Sequence, residues 1–277
     1  MKKFIVIALA LVMVLSLCAC GEKAPAQSEA SFTTVTEGVL TVATSPDYAP
    51  YEFYAIAEDG TATLAGFDIE LAKYIAADLG LEIEFVPMDF DGVLMEVGLG
   101  NVDLGVAGLS PDPERAETML FSDSYYDGGQ AFIASKDNAD VFTDLESLNQ
   151  AGYQIGAQIG SIQEGLAKEY SADADLVSLP KVTDIIAEIV GGKLDGAYVE
   201  TAVAESYQKN YPDIVMVCEV PYDAEGNVIG VPKGNEALLA AVNESLNKCV
   251  AEGTFDDFVA QANELAEGNI IEGLIEE

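Results

Sequence analysis

Residues 66–107 read GFDIELAKYIAADLGLEIEFVPMDFDGVLMEVGLGNVDLGVA, and this stretch carries the main evidence for the fold. Between Asp68 and Leu79 the apolar residues recur at helical spacing, and Gly80 is placed to end that helix. Strand-like runs and a second helix surround it, namely Val39–Ala43, Ile83–Val86, Gly92–Gly98 (the helix) and Leu104–Ala107. Such alternation predicts an α/β fold with mainly parallel strands.

The second half of the chain repeats this alternation. Its strand-like and helical segments are Tyr153–Ala157, Ile162–Tyr170 (helix), Leu176–Ser178, Thr183–Val190 (helix) and Gly196–Val199. One short motif, Gly-x-x-Asp, occurs at the same point in both halves. Gly100-Asn-Val-Asp103 and Gly192-Lys-Leu-Asp195 each end an apolar helix and lead into a strand, 92 positions apart. We therefore expect two lobes with a common plan.

Two turn-rich segments, Tyr125–Gln130 and Pro221–Asn227, are predicted to be crossovers between the lobes. Lobe one would then be discontinuous, with residues 32–127 and 228–277, and lobe two would comprise residues 128–227 with the hinge strands. A cleft between two hinged lobes is a natural place for a small ligand.

The N-terminal residues predict export and lipid anchoring. Met1-Lys2-Lys3 is followed by a stretch of 14 residues, Phe4–Leu17, that is apolar except for Ser16 and suits a secretory signal peptide spanning residues 1–19. Leu17-Cys18-Ala19-Cys20 resembles a bacterial lipobox, so Cys20 is expected to carry a lipid; the alternative is a plain signal peptide with a chance cysteine. Polar residues 20–31 are predicted to be a flexible tether. The protein would lie outside the cytoplasm, anchored to the outer face of the cell membrane.

Charge excludes several classes of function. The chain has 12 basic residues, 48 acidic residues and no histidine, for a net charge of −36. Nucleic-acid binding needs a basic surface, so we exclude nucleic acid as a partner. Without histidine there are no Ser-His triads and no His-ligated metals. We expect no cofactor, no metal and no catalytic residues.

Three individual residues require comment. Arg115, the only arginine, follows a Gly/Ser turn and is suited to clamp a carboxylate with its planar guanidinium, although a solvated arginine in a first helical turn is the plain alternative. Cys218 and Cys249 are interpreted as two buried free thiols rather than as a disulfide, which export would permit.

Several motifs together resemble family 3 of the bacterial solute-binding proteins, the polar amino acid receptors of ABC importers. The motifs, which occur in the family's order and spacing, are Gly66-Phe-Asp-Ile-Glu-Leu-Ala72, Thr44-Ser-Pro-Asp-Tyr-Ala-Pro-Tyr-Glu-Phe53, Pro87-Met-Asp-Phe-Asp91, Pro113-Glu-Arg115, Phe121-Ser-Asp-Ser-Tyr-Tyr126, Gly160-Ser-Ile-Gln163 and Leu194-Asp-Gly-Ala-Tyr-Val-Glu200. The resemblance implies a two-lobed periplasmic-binding-protein (Venus-flytrap) fold of type II with two hinge crossovers. It further implies a monomer that closes on one polar L-amino acid and delivers it to a membrane permease with its ATPase.

The resemblance also implies the ligand site. Arg115 would clamp the ligand carboxylate, and Glu200 would pair with its ammonium. Backbone and hydroxyl groups would come from Gly108, Ser110, Ser161 and Ile162. Tyr48 and Phe90 would form aromatic walls, and Ser45 and Gln163 complete the set of ten predicted ligand-binding residues. Beside the resemblance, Asp47 and Glu52 are further candidates for polar groups at the far end of the pocket.

Three departures from the family pattern bear on specificity. Ser45 stands where receptors for cationic amino acids often have aspartate, which favours glutamine or another uncharged or weakly cationic ligand. Ile162 replaces a frequent threonine, so only its backbone can serve. Glu200 is one methylene longer than the commoner aspartate.

Two rival functions remain open at this stage. The same fold can act as a cyclohexadienyl dehydratase, with Glu200 or Glu52 as the acid or base. It can also be a lipid-anchored sensor or adhesin without transport. For Asp68 and Glu70 we expect a solvated or capping pair near the helix start, and for Phe67, Ile69 and Leu71 we expect core positions.

Overall fold

A computed structural model describes residues 32–56, 59–222 and 226–267 of the chain. The predicted signal peptide, the tether and Cys20 lie outside the described residues. No helix in the described part is both long and apolar enough to span a bilayer.

The first lobe is built on a five-stranded sheet. Its strands are β1 (Val39–Thr44), β5 (Glu82–Pro87), β6 (Leu104–Gly105), β7 (Met119–Phe121) and β13 (Gly230–Pro232). Their order is β5-β1-β6-β13-β7. Strand β1, the middle one of the three parallel strands, is parallel to β5 and β6, whereas β13 is antiparallel to both of its neighbours.

The second lobe is built on another five-stranded sheet. Its strands are β8 (Gln130–Ser135), β9 (Gln154–Gln158), β10 (Asp175–Leu179), β11 (Gly196–Glu200) and β12 (Ile214–Val220). Their order is β10-β9-β11-β8-β12. As in the first lobe, three parallel strands lie side by side, and two further strands follow, each antiparallel to the strand before it in this order.

A small antiparallel sheet of β2 (Asp47–Tyr48), β3 (Glu52–Ile56) and β4 (Ala62–Ala65) follows the first strand. The seven α-helices of the described residues are α1 (Phe67–Asp78), α2 (Phe90–Leu99), α3 (Ile162–Tyr170), α4 (Val182–Val190), α5 (Thr201–Asn210), α6 (Glu236–Ala251) and α7 (Thr254–Ala266). Helix α1 packs against α6 and α7 on the first sheet.

The α/β class is confirmed, but the expectation of mainly parallel strands was too simple. Strands β8 and β13 each begin where the chain passes from one lobe to the other, so no helical crossover within a sheet fixes their direction. They enter their sheets antiparallel to the neighbouring strands. Both sheets are therefore mixed.

The aspartates of the two Gly-x-x-Asp motifs make the same pair of hydrogen bonds in the two lobes. The N–H of Asp103 donates to the carbonyl of Thr41 at 3.0 Å, and the Asp103 carboxylate accepts the Thr41 N–H at 2.8 Å. The N–H of Asp195 donates to the carbonyl of Gln154 at 2.8 Å, and the Asp195 carboxylate accepts the Gln154 N–H at 2.8 Å. Each aspartate thus ties its strand to the central parallel strand of its own lobe.

The chain crosses between the sheets in two places that lie side by side. Tyr125 donates its N–H to the carbonyl of Asn227 at 3.0 Å, and Asn227 donates to the carbonyl of Tyr126 at 2.7 Å. These two segments lie where the sequence predicted crossovers. The residue bounds of the two lobes stay a prediction, although the strands divide between the sheets on either side of these crossovers.

The core positions agree with the sequence analysis, and the thiols agree with it in part. Phe67, Ile69 and Leu71 are fully buried in α1. Cys218, in β12, and Cys249, in α6, are free cysteines as expected. Only Cys249 is buried, whereas Cys218 is half-buried.

Candidate functional site

A cavity lies between the two lobes, where the carboxyl ends of β1, β6 and β9 meet the first turns of α2 and α3. Its lining residues are Ser45, Asp47, Tyr48, Glu52, Phe90, Ala107, Gly108, Ser110, Arg115, Gln158, Ile162 and Gln163. The structure thus brings together eight of the ten residues that the resemblance implied for the ligand site. In this conformation the cavity has a volume of only about 10 Å³, so the lobes and their side chains must move apart to admit an amino acid.

Arg115 belongs to this cavity and is not a solvated helix residue. It begins a single turn of 3-10 helix, Arg115–Glu117, rather than the α-helix that the sequence indicated. Its guanidinium donates from Nη1 to the Ser110 carbonyl at 2.9 Å and from Nη2 to the Gly160 carbonyl at 3.0 Å. Because Ser110 and Gly160 belong to different lobes, Arg115 bridges the cleft.

The surroundings of Arg115 are partly apolar. Its guanidinium carbon lies 5.4 Å from the centre of the Phe90 ring, which is a cation–π contact. Burial lowers the pKa of Arg115, an effect that the charge of Asp112 opposes. The group stays cationic at any physiological pH.

Gly108 is required by the backbone at the floor of the cavity. Its φ is +55°, and a Cβ there would approach the Tyr48 ring within 3.1 Å. The Gly108 N–H donates to Asp68 at 2.8 Å, and its carbonyl accepts from Asn227 at 2.9 Å. Both backbone groups are therefore engaged within the protein in this conformation.

The aromatic walls and Gln163 form a contact across the cleft. Tyr48 and Phe90 are buried in lobe one. Gln163, in the first turn of α3, donates to the Tyr48 hydroxyl at 3.2 Å and to the Gln130 side chain at 2.7 Å. These bonds fix the amide of Gln163, which is one of the ten predicted ligand-binding residues.

Ser161 does not line the cavity, although its neighbour Ile162 does. The Ser161 hydroxyl caps α3 by accepting from the Glu164 N–H at 3.2 Å, and it donates to the Gln158 carbonyl at 2.7 Å. The Ser161 N–H also donates to Gln158, at 3.2 Å. Ser161 therefore holds the start of α3 in place beside the cavity.

Glu200 also lies outside the cavity lining. Its carboxylate is buried and accepts the N–H groups of Gly129 at 3.0 Å, Ala202 at 2.7 Å and Val203 at 3.2 Å. Burial raises the pKa of Glu200 to about 7, although these hydrogen bonds oppose the shift. Pairing with a ligand ammonium would compete with the cap of α5 and with the hinge contact to Gly129.

Four lining residues lie outside the set of ten: Asp47 and Glu52, which the sequence analysis named only as further candidates, and Ala107 and Gln158, which it did not name. Asp47 accepts from the Ser45 hydroxyl at 2.7 Å, from Gln158 at 3.2 Å and from the Val182 N–H. Burial raises its pKa to about 6. The signal for Gln158 was its position at the carboxyl end of β9, where a polar side chain on a buried strand faces the cleft.

Glu52 is the most unusual group in the cavity. It is fully buried in β3, and neither carboxyl oxygen receives a hydrogen bond from a donor among the described residues. Burial raises its pKa well above 4.5, and the nearby Asp68 and Asp47 raise it further. An unpaired buried carboxylate is costly, so this group is either protonated or neutralised by a cation.

The expectation for Asp68 was wrong. Asp68 is fully buried rather than solvated, and it does not cap α1. Its Oδ2 accepts the Gly108 N–H at 2.8 Å and the Tyr125 hydroxyl at 3.0 Å. The physical reason is that α1 begins inside the lobe, so its first acidic side chain faces the cavity floor and only Glu70 is in position to pair with Lys73.

Two similar lobes, two neighbouring crossovers and a charged cavity between the lobes define a two-lobed solute-binding protein. The chain matches the sequence model of the bacterial extracellular solute-binding proteins, family 3, over residues 40–262, and it belongs to that family. The fold class expected from the sequence is thereby confirmed.

Individual relatives agree with this assignment. The arginine-binding extracellular protein ArtP of Bacillus subtilis is 31% identical over 261 residues, which cover 92% of this chain and 96% of that protein. The amino acid ABC transporter substrate-binding protein AbpA of Streptococcus pneumoniae, solved with L-arginine bound, is 33% identical with a TM-score of 0.79, covering 84% of this chain and 97% of the other.

A third similar structure bears on the enzyme alternative. The ancestral amino acid-binding protein AncCDT-1, described as a precursor of cyclohexadienyl dehydratase, is 33% identical with a TM-score of 0.73, covering 81% of this chain and 95% of that one. Within the described ranges, no group of three or more His, Cys, Asp or Glu side chains is arranged to hold a metal ion.

Proposed function

We propose that this protein is the extracytoplasmic binding subunit of an ABC importer and that its ligand is a cationic L-amino acid, arginine first. This proposal depends mainly on the charged groups of the cavity lining, which contains one guanidinium, Arg115, and two carboxyl groups, Asp47 and Glu52. An arginine zwitterion carries one carboxylate and two cationic groups. The charges of ligand and lining are therefore complementary, one for one.

Arg115 supplies the anion-binding half of this site. Its two donating nitrogens now meet backbone carbonyls of both lobes, which are weaker acceptors than a carboxylate. A ligand carboxylate would replace these neutral partners with a charged one. Since Arg115 already spans the cleft, the same contact would favour the closed lobes.

The cation-binding half of the site argues against the uncharged or weakly cationic ligand that Ser45 indicated. The Ser45 hydroxyl donates to Asp47 at 2.7 Å, so the negative charge stands two residues further along the chain. Glu52 adds a second carboxyl group, to which no donor in the described part of the chain is bound. Tyr48 and Phe90 supply aromatic faces suited to a guanidinium. The names of the similar arginine-binding proteins support the same ligand.

The remaining predicted features belong to the same proposal. Lipidation at Cys20, a tether of residues 20–31 and a monomeric protein that meets a permease and its ATPase are all compatible with the family. Ser161 and Glu200 are assigned supporting roles, since they hold the start of α3 and the hinge end of α5. Glu200 remains a predicted ammonium partner only if the lobes rearrange.

A thermal-shift panel tests the ligand. The full chain, unfolded and refolded to remove any co-purified ligand, is melted with each of the 20 amino acids, citrulline and prephenate. A ligand at about 100 times its Kd adds roughly 2.7 kcal/mol of stability, which for a chain of this size is a shift on the order of 5–10 °C. We expect this shift for arginine and a smaller one for lysine.

The controls separate the candidate functions. Citrulline has the shape of arginine without the guanidinium charge, so an equal shift with citrulline would contradict the cationic assignment. A shift with prephenate alone, together with product formation, would favour the dehydratase, in which a protonated Glu52 is the candidate acid. If no amino acid shifts the melting temperature, the binding proposal is overturned.

A further inference from the structure

Three oxygens of one carboxyl pair stand out in the buried part of the protein. Both oxygens of Glu52 and Oδ1 of Asp68 lack a hydrogen-bond donor among the described residues. Asp68 uses its other oxygen to accept from Gly108 and Tyr125. The Asp68 N–H donates to the carbonyl of Tyr51, the residue before Glu52, at 3.0 Å, so the two acids belong to the same turn of the buried chain. Hydrogen bonding between the two carboxyl groups is among the causes that raise the pKa of Glu52. Two carboxyl groups in such contact need a proton between them, since two acceptors alone repel each other.

None of the ionisable groups near Glu52 can neutralise the carboxyl pair in place of this proton. The charges of Asp68, from α1, and Asp47, from β2, raise the pKa of Glu52 further, and the charge of Glu52 in turn raises the pKa of Tyr48 and of Tyr125. None of these groups is a cation. Strand β4, which pairs with β3, contributes no ionisable side chain. Arg115, the one cation of the lining, is committed to Ser110 and Gly160.

We propose that Glu52 and Asp68 share one proton in the ligand-free protein, and that a cationic ligand displaces this proton to solvent when it binds. The inference rests on the proposed function, because only a cationic side chain can take the place of the proton. Capture of the ligand is thereby coupled to proton release. Glu52 also becomes the residue that distinguishes a cationic ligand from an uncharged one of equal shape.

The exchange balances in charge and atoms. Before binding, the Glu52 carboxylic acid donates its O–H to the Asp68 carboxylate, and the pair carries a single negative charge. After binding, the O–H bond is broken, the proton has passed to a buffer base, and the ligand cation lies beside the Glu52 carboxylate. Asp68 keeps its bonds to Gly108 and Tyr125 in both states.

The direction of the pH dependence follows from this balance. Binding that releases one proton is strengthened as pH rises, by up to about tenfold per pH unit, until the free protein loses the proton by itself. Asp47 adds a second release only at lower pH, because its pKa is about 6. Near pH 7.5, where Asp47 is mostly ionised, the release should come from the carboxyl pair alone.

Titration calorimetry in two buffers measures the proton directly. Arginine is titrated into the refolded full chain at about pH 7.5 in phosphate and in Tris, which differ widely in their enthalpy of ionisation. The difference in apparent binding enthalpy gives the number of protons released, and we expect a value of about one. Citrulline, where it binds, should release none.

The variant Glu52→Gln supplies the second measurement, since glutamine has no proton to release. Arginine should bind it more weakly and with no difference between the buffers, whereas Glu70→Gln, an exposed glutamate on α1, should behave as the unaltered protein does. Arginine binding with no buffer dependence in the unaltered chain would overturn this inference and leave the proposed function intact. Proton release that persists in Glu52→Gln would also overturn it. Failure of every cationic amino acid to bind would defeat the proposed function itself.

Discussion

The role of Arg115 depends on its surroundings in the folded protein. In the sequence it is a lone arginine near a helix start. In the structure its guanidinium meets Ser110 of one lobe, Gly160 of the other and the Phe90 ring. A planar group with several fixed donors suits this position, because it can exchange two carbonyl partners for one bidentate carboxylate.

The variant Arg115→Ala tests this role. Loss of a charged partner for the ligand carboxylate should weaken arginine binding by roughly 2–5 kcal/mol. The measurement is the Kd by titration calorimetry. Arg115→Lys should recover only part of the loss, since an ammonium cannot form the two parallel bonds. Lys193→Ala, which removes an exposed cation paired with Glu188, is the matched control and should leave Kd unchanged. A loss below tenfold in Arg115→Ala would place the carboxylate elsewhere.

At the scale of elements, the start of α1 is the most constrained point of lobe one. Gly66 has a φ of +121°, and a Cβ on it would lie 2.0 Å from the carbonyl oxygen of Tyr51. This close approach lets the first helical N–H groups find carbonyl partners, from Phe67 to Pro50 at 3.1 Å and from Asp68 to Tyr51 at 3.0 Å. The helix is thus capped by the turn that precedes β3, which places Asp68 beside Glu52.

Gly66→Ala should therefore disrupt more than the backbone preference of one residue. The clash forces the turn and the helix apart and removes both capping bonds, so we expect a loss of about 3 kcal/mol or more in the free energy of unfolding. Gly80→Ala is the matched control: its φ is +71°, and nothing lies within 4 Å of its Cβ. That change should cost roughly 1–2 kcal/mol, the conformational strain alone. Urea unfolding followed by circular dichroism measures both, and equal losses would contradict the steric argument.

At the scale of the whole molecule, buried acids set an unusual dependence of stability on pH. Burial raises the pKa of Asp47 and of Asp68 to about 6 and that of Glu200 to about 7. In the unfolded chain these carboxyl groups titrate near pH 4. At these three groups the folded protein therefore binds more protons than the unfolded chain between about pH 4 and about pH 7, and stability falls as pH rises through this window. Glu52, whose pKa burial raises well above 4.5, acts in the same direction.

The ligand-free protein should accordingly melt at a higher temperature at about pH 5 than at about pH 8, by a free energy on the order of 3 kcal/mol. Asp78 and Glu164 have lowered pKa values, so their opposite contribution is confined to pH values below about 4.5 and does not change the comparison between pH 5 and pH 8. Differential scanning calorimetry across this range is the measurement. Glu200→Gln should flatten the dependence, and Glu70→Gln should not. A melting temperature that rises steadily with pH would show that these acids are not protonated in the folded state.

Much of the fold could be predicted because it depends on local periodicity. The helix over Ile162–Tyr170 has the bounds that the sequence indicated, and the strand at Val39 extends one residue past the expected end. The small sheet of β2, β3 and β4 was missed because its strands are short and lack a clear alternation. The direction of β8 and β13 was missed because it depends on how the chain crosses between lobes.

The sequence by itself determined the two similar lobes, the crossovers, the family and eight of the cavity residues, because each rests on short motifs and their order. Only the tertiary structure decided the state of the acids. Asp68 contacts Gly108 and Tyr125 across separations of 40 and 57 residues, and Glu52 has no hydrogen-bond donor within residues 32–56, 59–222 and 226–267. Whether a carboxyl group is solvated, capped or protonated depends on neighbours that are distant in the chain, and no local pattern records them.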